Sequence, residues 1–390
     1  MLDFDFVSPT RLYFGREKEK QIGNIIKTYG FKKILLHYGT GSIKSSGLYE
    51  SVVTSLKDAN IEFVELGGVR VNPTHSLVRA GVFLAKKEHI DAVIAVGGGS
   101  VIDSAKAIAA GYYYDGDPFD FNLHKARPQK ALPIGVLLTL SAAGSELSAS
   151  CVISNDETNT KRGFNSDIIR PLFAICNPEL TYTVSKYQTG CGIVDIISHS
   201  FERYFSPSEH IELADEFALS VIRHVVEVGK KAIDNPVDYD ARASLMLASS
   251  FSHNGITGLG KKVSMPVHLI AHALSGFDPR IAHGAALSVL MPAWMAYVKD
   301  SDLDKFSTFG RDVFKIHFVD KNESANIGIR ELKRFFHEIG MPLTLRELGL
   351  FEKDIPHLAK MVTENGTRVV GHSVRPLDEK DIEALLRSCL

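Results

Sequence analysis

Cysteine is scarce in this chain, and what there is does not pair. Cys151, Cys176, Cys191 and Cys389 are scattered over 390 residues, and no two form a CxxC motif. The spacing does not suggest a disulfide framework, and a reducing, cytoplasmic setting is expected. Long apolar runs are also missing. No window approaches the roughly 18 consecutive apolar residues of a membrane span, so no membrane partner is expected. The opening MLDFDFVSPTRLYFG carries Asp3 and Asp5 and no apolar run, unlike a secretory leader. Nor is there a basic stripe. The formal net charge is −2, and the densest charge run, REKEK at 16–20, mixes signs and reads as a solvated face. Nucleic acid and acidic membrane surfaces are therefore not expected partners.

What remains is an ordinary soluble composition, 45% hydrophobic and 23% charged. The length exceeds the roughly 250–300 residues at which one core stops growing, so two domains are expected. In the first half, short apolar runs at 32–39, 62–68, 90–100, 132–141 and 170–178 alternate with helical patterns at 47–61, 75–88 and 100–111. Nearly all-apolar strands between helices predict a parallel sheet covered on both faces. Beyond about residue 185 the pattern turns wholly helical, at 186–204, 210–233, 237–255, 263–275, 282–299, 322–339, 356–364 and 378–388. The expected architecture is an α/β domain with a parallel sheet over 1–183 and an all-helical domain over 184–390.

The segment IDAVIAVGGGSVIDSAKAIAAG, 90–111, leaves a buried strand through three glycines and enters a helix at Ser100. Glycine permits close backbone approach, and a helix N-terminus suits a pyrophosphate. A tight packing turn is the competing reading. The GxGxxG fingerprint of the usual dinucleotide fold is absent. Two further small-residue turns, HYGTGSIKSSG (37–47) and TLSAAGSELSAS (139–150), follow other strands. Ligands of α/β sheets collect at such carboxyl ends, which favours an extended nucleotide site. The turn from Gly39 to Ser42 has no acid to hold a ribose 2′-OH, and Lys44 is close in sequence. That favours NADP(H) over NAD(H); a 2′-OH held by another loop is the alternative.

In CGIVDIISHSFERYF, Asp195 and His199 stand one helical turn apart among apolar neighbours. A buried carboxylate is costly unless it is paired or bound to a cation. In MPVHLIAHALSGFDPRIAHG, His268 and His272 share a helix face, Gly276 is expected to end the helix, and His283 opens the next one. Two helices joined by a short loop run antiparallel, which can return His283 beside His268. Separately satisfied core histidines remain one reading. The other gathers Asp195, His199, His268 and His283 into one carboxylate and three imidazoles, a set suited to Fe²⁺ or Zn²⁺ and, lacking thiolate, unlike structural zinc.

GGGSVIDSAKAIAAG, AAGSELSASCVIS, CGIVDIISHSFERYF, FSHNGITGLG and HLIAHALSGFDPRIAHG together resemble the iron-containing (group III) alcohol dehydrogenases, over essentially the whole chain. The resemblance is closest to the butanol-dehydrogenase-like, aldehyde-reducing branch. It implies a homodimer with Asp195, His199, His268 and His283 as metal ligands and with His272 near the nicotinamide. His272 there passes a proton toward solvent or only packs against the ring; both roles stay open. Dinucleotide contacts are implied for Gly39, Ser42, Asn72, Gly98, Gly99, Ser100, Thr139, Leu140 and Lys161. Two departures are visible. Ala143 stands where the family often has Thr, and the interval from His268 to His283 is one residue longer than in well-known members.

The implied activity is metal-assisted hydride transfer between NADP(H), or NAD(H), and a small primary alcohol or aldehyde such as butanol or butyraldehyde. Phe251, Leu259 and Phe277 are expected near an aliphatic substrate. Two rivals stand. A sugar-phosphate cyclase of the dehydroquinate-synthase type is expected to show a Glu/His/His set and basic residues for phosphate. A catalytically silent nucleotide-binding protein is credible only without metal.

Overall fold

The apolar runs of the first half pair into one parallel sheet. The computed structural model describes all residues except 159, 208–210, 317–319 and 373. The chain divides into a unit of Val7–Val184 and a unit of Ser185–Leu390 together with Met1–Phe6. The described strands are β1 (Arg11–Phe14), β2 (Lys33–Gly39), β3 (Glu62–Val69), β4 (Ala92–Gly97), β5 (Ile134–Leu138), β6 (Ser150–Asn155), β7 (Thr160–Asn165) and β8 (Phe173–Cys176). Six of them form a sheet in the order β1-β8-β5-β4-β2-β3, with every neighbouring pair parallel. β4, β5 and β8 are buried at every residue, as a sheet covered on both faces requires.

Connectivity explains where this sheet can hold a ligand. The chain leaves β2 toward the outer strand β3, then returns to β4 on the opposite side of β2 and continues to β5. The direction of winding therefore reverses between β2 and β4, the position at which open α/β sheets leave a crevice at their carboxyl ends. Register aligns those ends, with Tyr38 opposite Val96 and Gly97 opposite Leu138. The helices of this unit are α1 (Ile22–Thr28), α2 (Ser42–Ser45), α3 (Leu48–Asp58), α4 (His75–Glu88) and α5 (Gly99–Gly111).

Some elements depart from expectation. The edge strand β1 and the antiparallel hairpin β6–β7 have no apolar run to announce them. β6 alternates half-buried and buried positions, and polar side chains on its open face disguise it as loop. The charge run at 16–20 is not wholly solvated, because Glu19 is buried and accepts a hydrogen bond from Asn177 Nδ2 at 2.9 Å.

The second unit is helical: α6 (Lys186–Tyr204), α7 (Glu212–Asp234), α8 (Tyr239–His253), α9 (Pro266–Phe277), α10 (His283–Val298), α11 (Leu303–Phe314), α12 (Lys321–Glu338), α13 (Ile355–Val362) and α14 (Glu379–Arg387). The expected start of α7 at 210 lies outside the described residues. Helix α11, with its mixed polar sequence, was not anticipated; Asp302 caps it by accepting from Lys305 N at 3.2 Å. Gly276 does not end α9, which runs to Phe277 and stops where Asp278 turns extended. The core centres on buried Trp294, packed by Phe201, Phe205 and Phe306. No described helix is long and apolar enough to cross a membrane.

Gly135 lies in β5 between its neighbours. A Cβ there would run into the Phe173 ring and come within 2.8 Å of Ile94 Cδ1. Gly135→Ala is expected to destabilise the fold by about 1–3 kcal/mol through overpacking. Differential scanning calorimetry checks this, and an unchanged Tm would mean that Phe173 yields freely.

Candidate metal centre and nucleotide turns

Helix α6 begins where Ser185 accepts a hydrogen bond from Gln188 N at 3.2 Å, and it is buried through almost all of its second half. Its period places Asp195 and His199 on one face. Helix α9 starts with Pro266 in its first turn, where the missing N–H costs nothing, and presents His268. His283 opens α10 after Ala282, which is extended. Between His268 and His283 the chain turns at Asp278, whose Oδ1 accepts from Arg280 N at 2.9 Å.

The structure brings all four expected ligands together around one atom. Asp195 Oδ1 lies 3.5 Å from His199 Nε2, 3.8 Å from His268 Nε2 and 3.9 Å from His283 Nε2. Two of these exceed hydrogen-bonding range, and the third lies at its limit. A cation with bonds of about 2.0–2.2 Å sets tetrahedral ligand atoms about 3.4 Å apart, only slightly closer than observed. Asp195, His199 and His268 form the tight set. His283, its side chain 22% exposed, stands at the open edge. Asp195 Oδ1 and His268 Nε2 are buried without a hydrogen-bond partner. Burying a charged oxygen without compensation is strongly unfavourable. These residues therefore fit a divalent cation in both donor type and position.

Electrostatics differ between the imidazoles. Burial holds His199 well below its ordinary pKa, helped by the nearby His253, His268, Arg203 and His283, so it stays neutral with a lone pair to give. Burial would depress His268 too, but the Glu202 and Asp195 carboxylates outweigh it and raise it to about 9. A proton and a cation thus compete for the same nitrogen. His283 can approach because of Gly284. A Cβ there would overlap the Cys191 backbone of α6, so only glycine lets α10 begin this close. His272 lies one turn beyond His268, its ring centroid 5.3 Å from that of His283 and 6.4 Å from that of His268. The structure places it beside the ligand set, outside the tight group.

In the first unit the three expected turns occupy strand carboxyl ends. β2 ends at Gly39 and Ser42 opens the four-residue α2. Gly98 caps α5, which begins at Gly99, with Ser100 in its first turn. A Cβ on Gly98 would lie 3.1 Å from Leu140 Cβ, and one on Gly99 3.3 Å from Ala143 Cβ. Thr139 N donates to Gly97 O at 3.1 Å. The second and third turns therefore touch. Asn72, in left-handed backbone at φ 61°, accepts a hydrogen bond from Lys161 Nζ at 2.8 Å.

Several supporting residues were missed in the sequence. Lys106 is fully buried on α5, and its Nζ donates to Ser145 O at 2.7 Å, Ser148 O at 2.9 Å and Ser150 O at 2.8 Å. Asp103, one turn earlier, accepts from Ser145 Oγ at 2.6 Å and Val152 N at 3.0 Å. Burial lowers the Lys106 pKa to about 8. Together they pin the loop after β5 to the glycine-led helix. The signal was the DSAK spacing, two charges on an otherwise apolar helix. Glu65 was missed as well: it accepts from Tyr38 Oη at 2.7 Å and Tyr49 Oη at 2.8 Å, while Lys44 Nζ sits 5.3 Å and 4.9 Å from those two rings. Around the ligands, Glu202, Arg203 and His253 were overlooked.

Known proteins match both halves of the chain. Residues 9–178 match the family described as iron-containing alcohol dehydrogenase, and residues 189–390 match the C-terminal region of the Fe-containing alcohol dehydrogenase family. The NADH-dependent butanol dehydrogenase A of Clostridium acetobutylicum is 42% identical over 98% of each chain. The NADPH-dependent aldehyde reductase YqhD of Escherichia coli is 31% identical over 96% of each. The crystal structure of NADH-dependent butanol dehydrogenase A from Thermotoga maritima superposes with a TM-score of 0.95 at 38% identity, covering 100% of this chain and 99% of that one. These matches favour the dehydrogenase reading over the cyclase, and the chain belongs to the iron-containing alcohol dehydrogenase family, oxidoreductases that interconvert alcohols and aldehydes.

Proposed function

We propose that Asp195, His199, His268 and His283 hold Fe²⁺ (or Zn²⁺), and that the chain reduces a small aliphatic aldehyde such as butyraldehyde to its alcohol, or runs the reverse reaction. The observation that carries this is the buried Asp195 Oδ1 facing three imidazole nitrogens at 3.5–3.9 Å. A divalent cation held there supplies Lewis-acid polarisation of a carbonyl oxygen, and a nicotinamide supplies the hydride. The chain's own part is orientation. Asp195 and the imidazoles define one point, and the buried helices around it exclude water. His272, near His283, is proposed for the nicotinamide side, holding or passing a proton. The names of the relatives support butanol-type substrates, and the partly exposed Phe251 and Phe277 support an aliphatic chain. A cytoplasmic homodimer completes the proposal; four free cysteines agree with the compartment.

Gly39, Ser42, Asn72, Gly98, Gly99, Ser100, Thr139, Leu140 and Lys161 are proposed to contact the dinucleotide. The acid-free turn at 39–42, with Lys44 held on the Tyr38 and Tyr49 rings, supports NADPH. A second reading, NADH, is favoured by Glu65, an acid that neighbours Tyr38 across the β2–β3 ladder, and by the NADH-dependent relatives. Initial rates with butyraldehyde decide between them: kcat/KM is expected to be higher with NADPH, and higher values with NADH would select the second reading.

Metal analysis tests the centre. The purified protein is expected to carry about one Fe²⁺ or Zn²⁺ per chain. Asp195→Ala should lose both the metal and aldehyde-dependent NADPH oxidation while still binding NADPH by fluorescence. A wild-type protein that neither binds metal nor oxidises NADPH with aldehyde would remove the dehydrogenase mechanism. Gly284→Ala should push α10 off α6 and displace His283, lowering metal affinity about 10-fold or more. Chelator competition measures this, and unaltered affinity would show that His283 is not needed.

A further inference from the structure

We infer that Glu202 and the Arg203–His253 pair are positioning residues that fix the tautomers of His268 and His199, so that both Nε2 lone pairs turn toward Asp195. The inference rests on the metal reading above, and donor counting carries it. The Arg203 guanidinium offers only N–H groups. Its Nη2 lies 3.2 Å from His253 Nδ1, so that nitrogen accepts. The same atom lies 2.9 Å from His199 Nδ1. Two acceptors do not share a hydrogen bond, so His199 Nδ1 carries the proton and donates. A neutral imidazole protonated at Nδ1 keeps its lone pair on Nε2, the atom 3.5 Å from Asp195 Oδ1.

The second imidazole is set by a different group. Glu202 is 1% exposed. Its carboxylate accepts from Val267 N at 2.6 Å and from His268 N at 3.3 Å, and it contacts His268 Nδ1. The Glu202 oxygens already accept from two backbone N–H groups and accept from the imidazole too, so His268 Nδ1 donates and Nε2 faces Asp195 at 3.8 Å. Glu202 is itself held by the first turn of α9, the helix that carries His268. Arg203 is anchored separately, with Nη1 donating to His199 O at 2.7 Å and to Ser252 O at 3.1 Å. One arginine thus ties α6 to the end of α8 and aims His253 at His199. Each inward-facing lone pair has its own guard, the Glu202 carboxylate for His268 and His253 Nδ1 for His199.

The test uses the full chain with Zn²⁺ titrated against a chromophoric chelator, and with Co²⁺ followed by its visible bands. Failure of the wild-type chain to bind either ion would defeat the metal reading itself. With wild-type binding established, Glu202→Gln and His253→Leu are expected to weaken Zn²⁺ about 10–100-fold and shift the Co²⁺ bands. His253→Asn keeps a carbonyl that accepts from both His199 and Arg203, and should recover affinity to within about threefold. Circular dichroism establishes that each variant is folded; Glu202→Gln, nearly isosteric, decides the matter if the leucine variant is not. Unchanged affinity and spectra in Glu202→Gln and His253→Leu would overturn the inference. So would an asparagine variant as weak as the leucine one.

Discussion

The second unit is arranged around a single buried oxygen. Asp195 Oδ1 has no hydrogen-bond partner, and an uncompensated carboxylate in a helical core is a severe cost. Three helices answer it with one imidazole nitrogen each, from His199 on α6, His268 on α9 and His283 on α10. Their convergence requires a contact that ordinary side chains forbid, and Gly284 against the Cys191 backbone provides it. Lys261 reinforces the end of α6 by donating to the carbonyls of Arg203 and Tyr204 at 2.9 Å and 3.2 Å. Helix packing, glycine placement and buried charge are thus one problem with one solution.

The cluster of Asp195 and the three histidines was legible in the sequence because its spacing is local. An i, i+4 pair on an apolar helix and a histidine opening the next helix are patterns one can count. The residues that aim them were less legible. Glu202 and Arg203 sit in the same quoted segment, yet their partners, His268 and His253, lie 66 and 50 positions away. Nothing in linear spacing distinguishes them from solvated charges on a helix end. The same holds for Lys106, whose three carbonyl acceptors belong to the loop after β5 and the first residue of β6, some 40 residues on.

Fold legibility follows a similar rule. Strands buried on both faces, such as β4 and β5, announce themselves as continuous apolar runs. The hairpin β6–β7 does not, because one face is open and its alternation is carried by Ser, Lys, Arg and Asn. Helix α11 was lost for a related reason: its burial is confined to Phe306, Phe309, Gly310 and Val313, a narrow stripe in a polar sequence. What periodicity cannot see is one-sided burial written in few residues.

The two units would hold their proposed ligands by different means, and this explains why one is harder to read. A cation is held by side chains of fixed chemistry, so residue types nearly name it. The turns at Gly39, Gly98 and Leu140 offer mostly backbone, and backbone N–H groups bind phosphate without distinguishing what else the nucleotide carries. At the proposed site, discrimination at the ribose would therefore fall to a few side chains near Gly39. Lys44 was visible beside that turn; Glu65 was not, because the β2–β3 ladder alone brings it to Tyr38. With a cation and a carboxylate both engaged on the same two tyrosines, the net field at the turn depends on how each is neutralised by its neighbours. Tyr38 and Tyr49 donate their hydroxyls to Glu65 and turn their rings to Lys44. They couple the two charges, and at the proposed nucleotide site dinucleotide preference would belong to this four-residue cluster and not to the glycine turn alone.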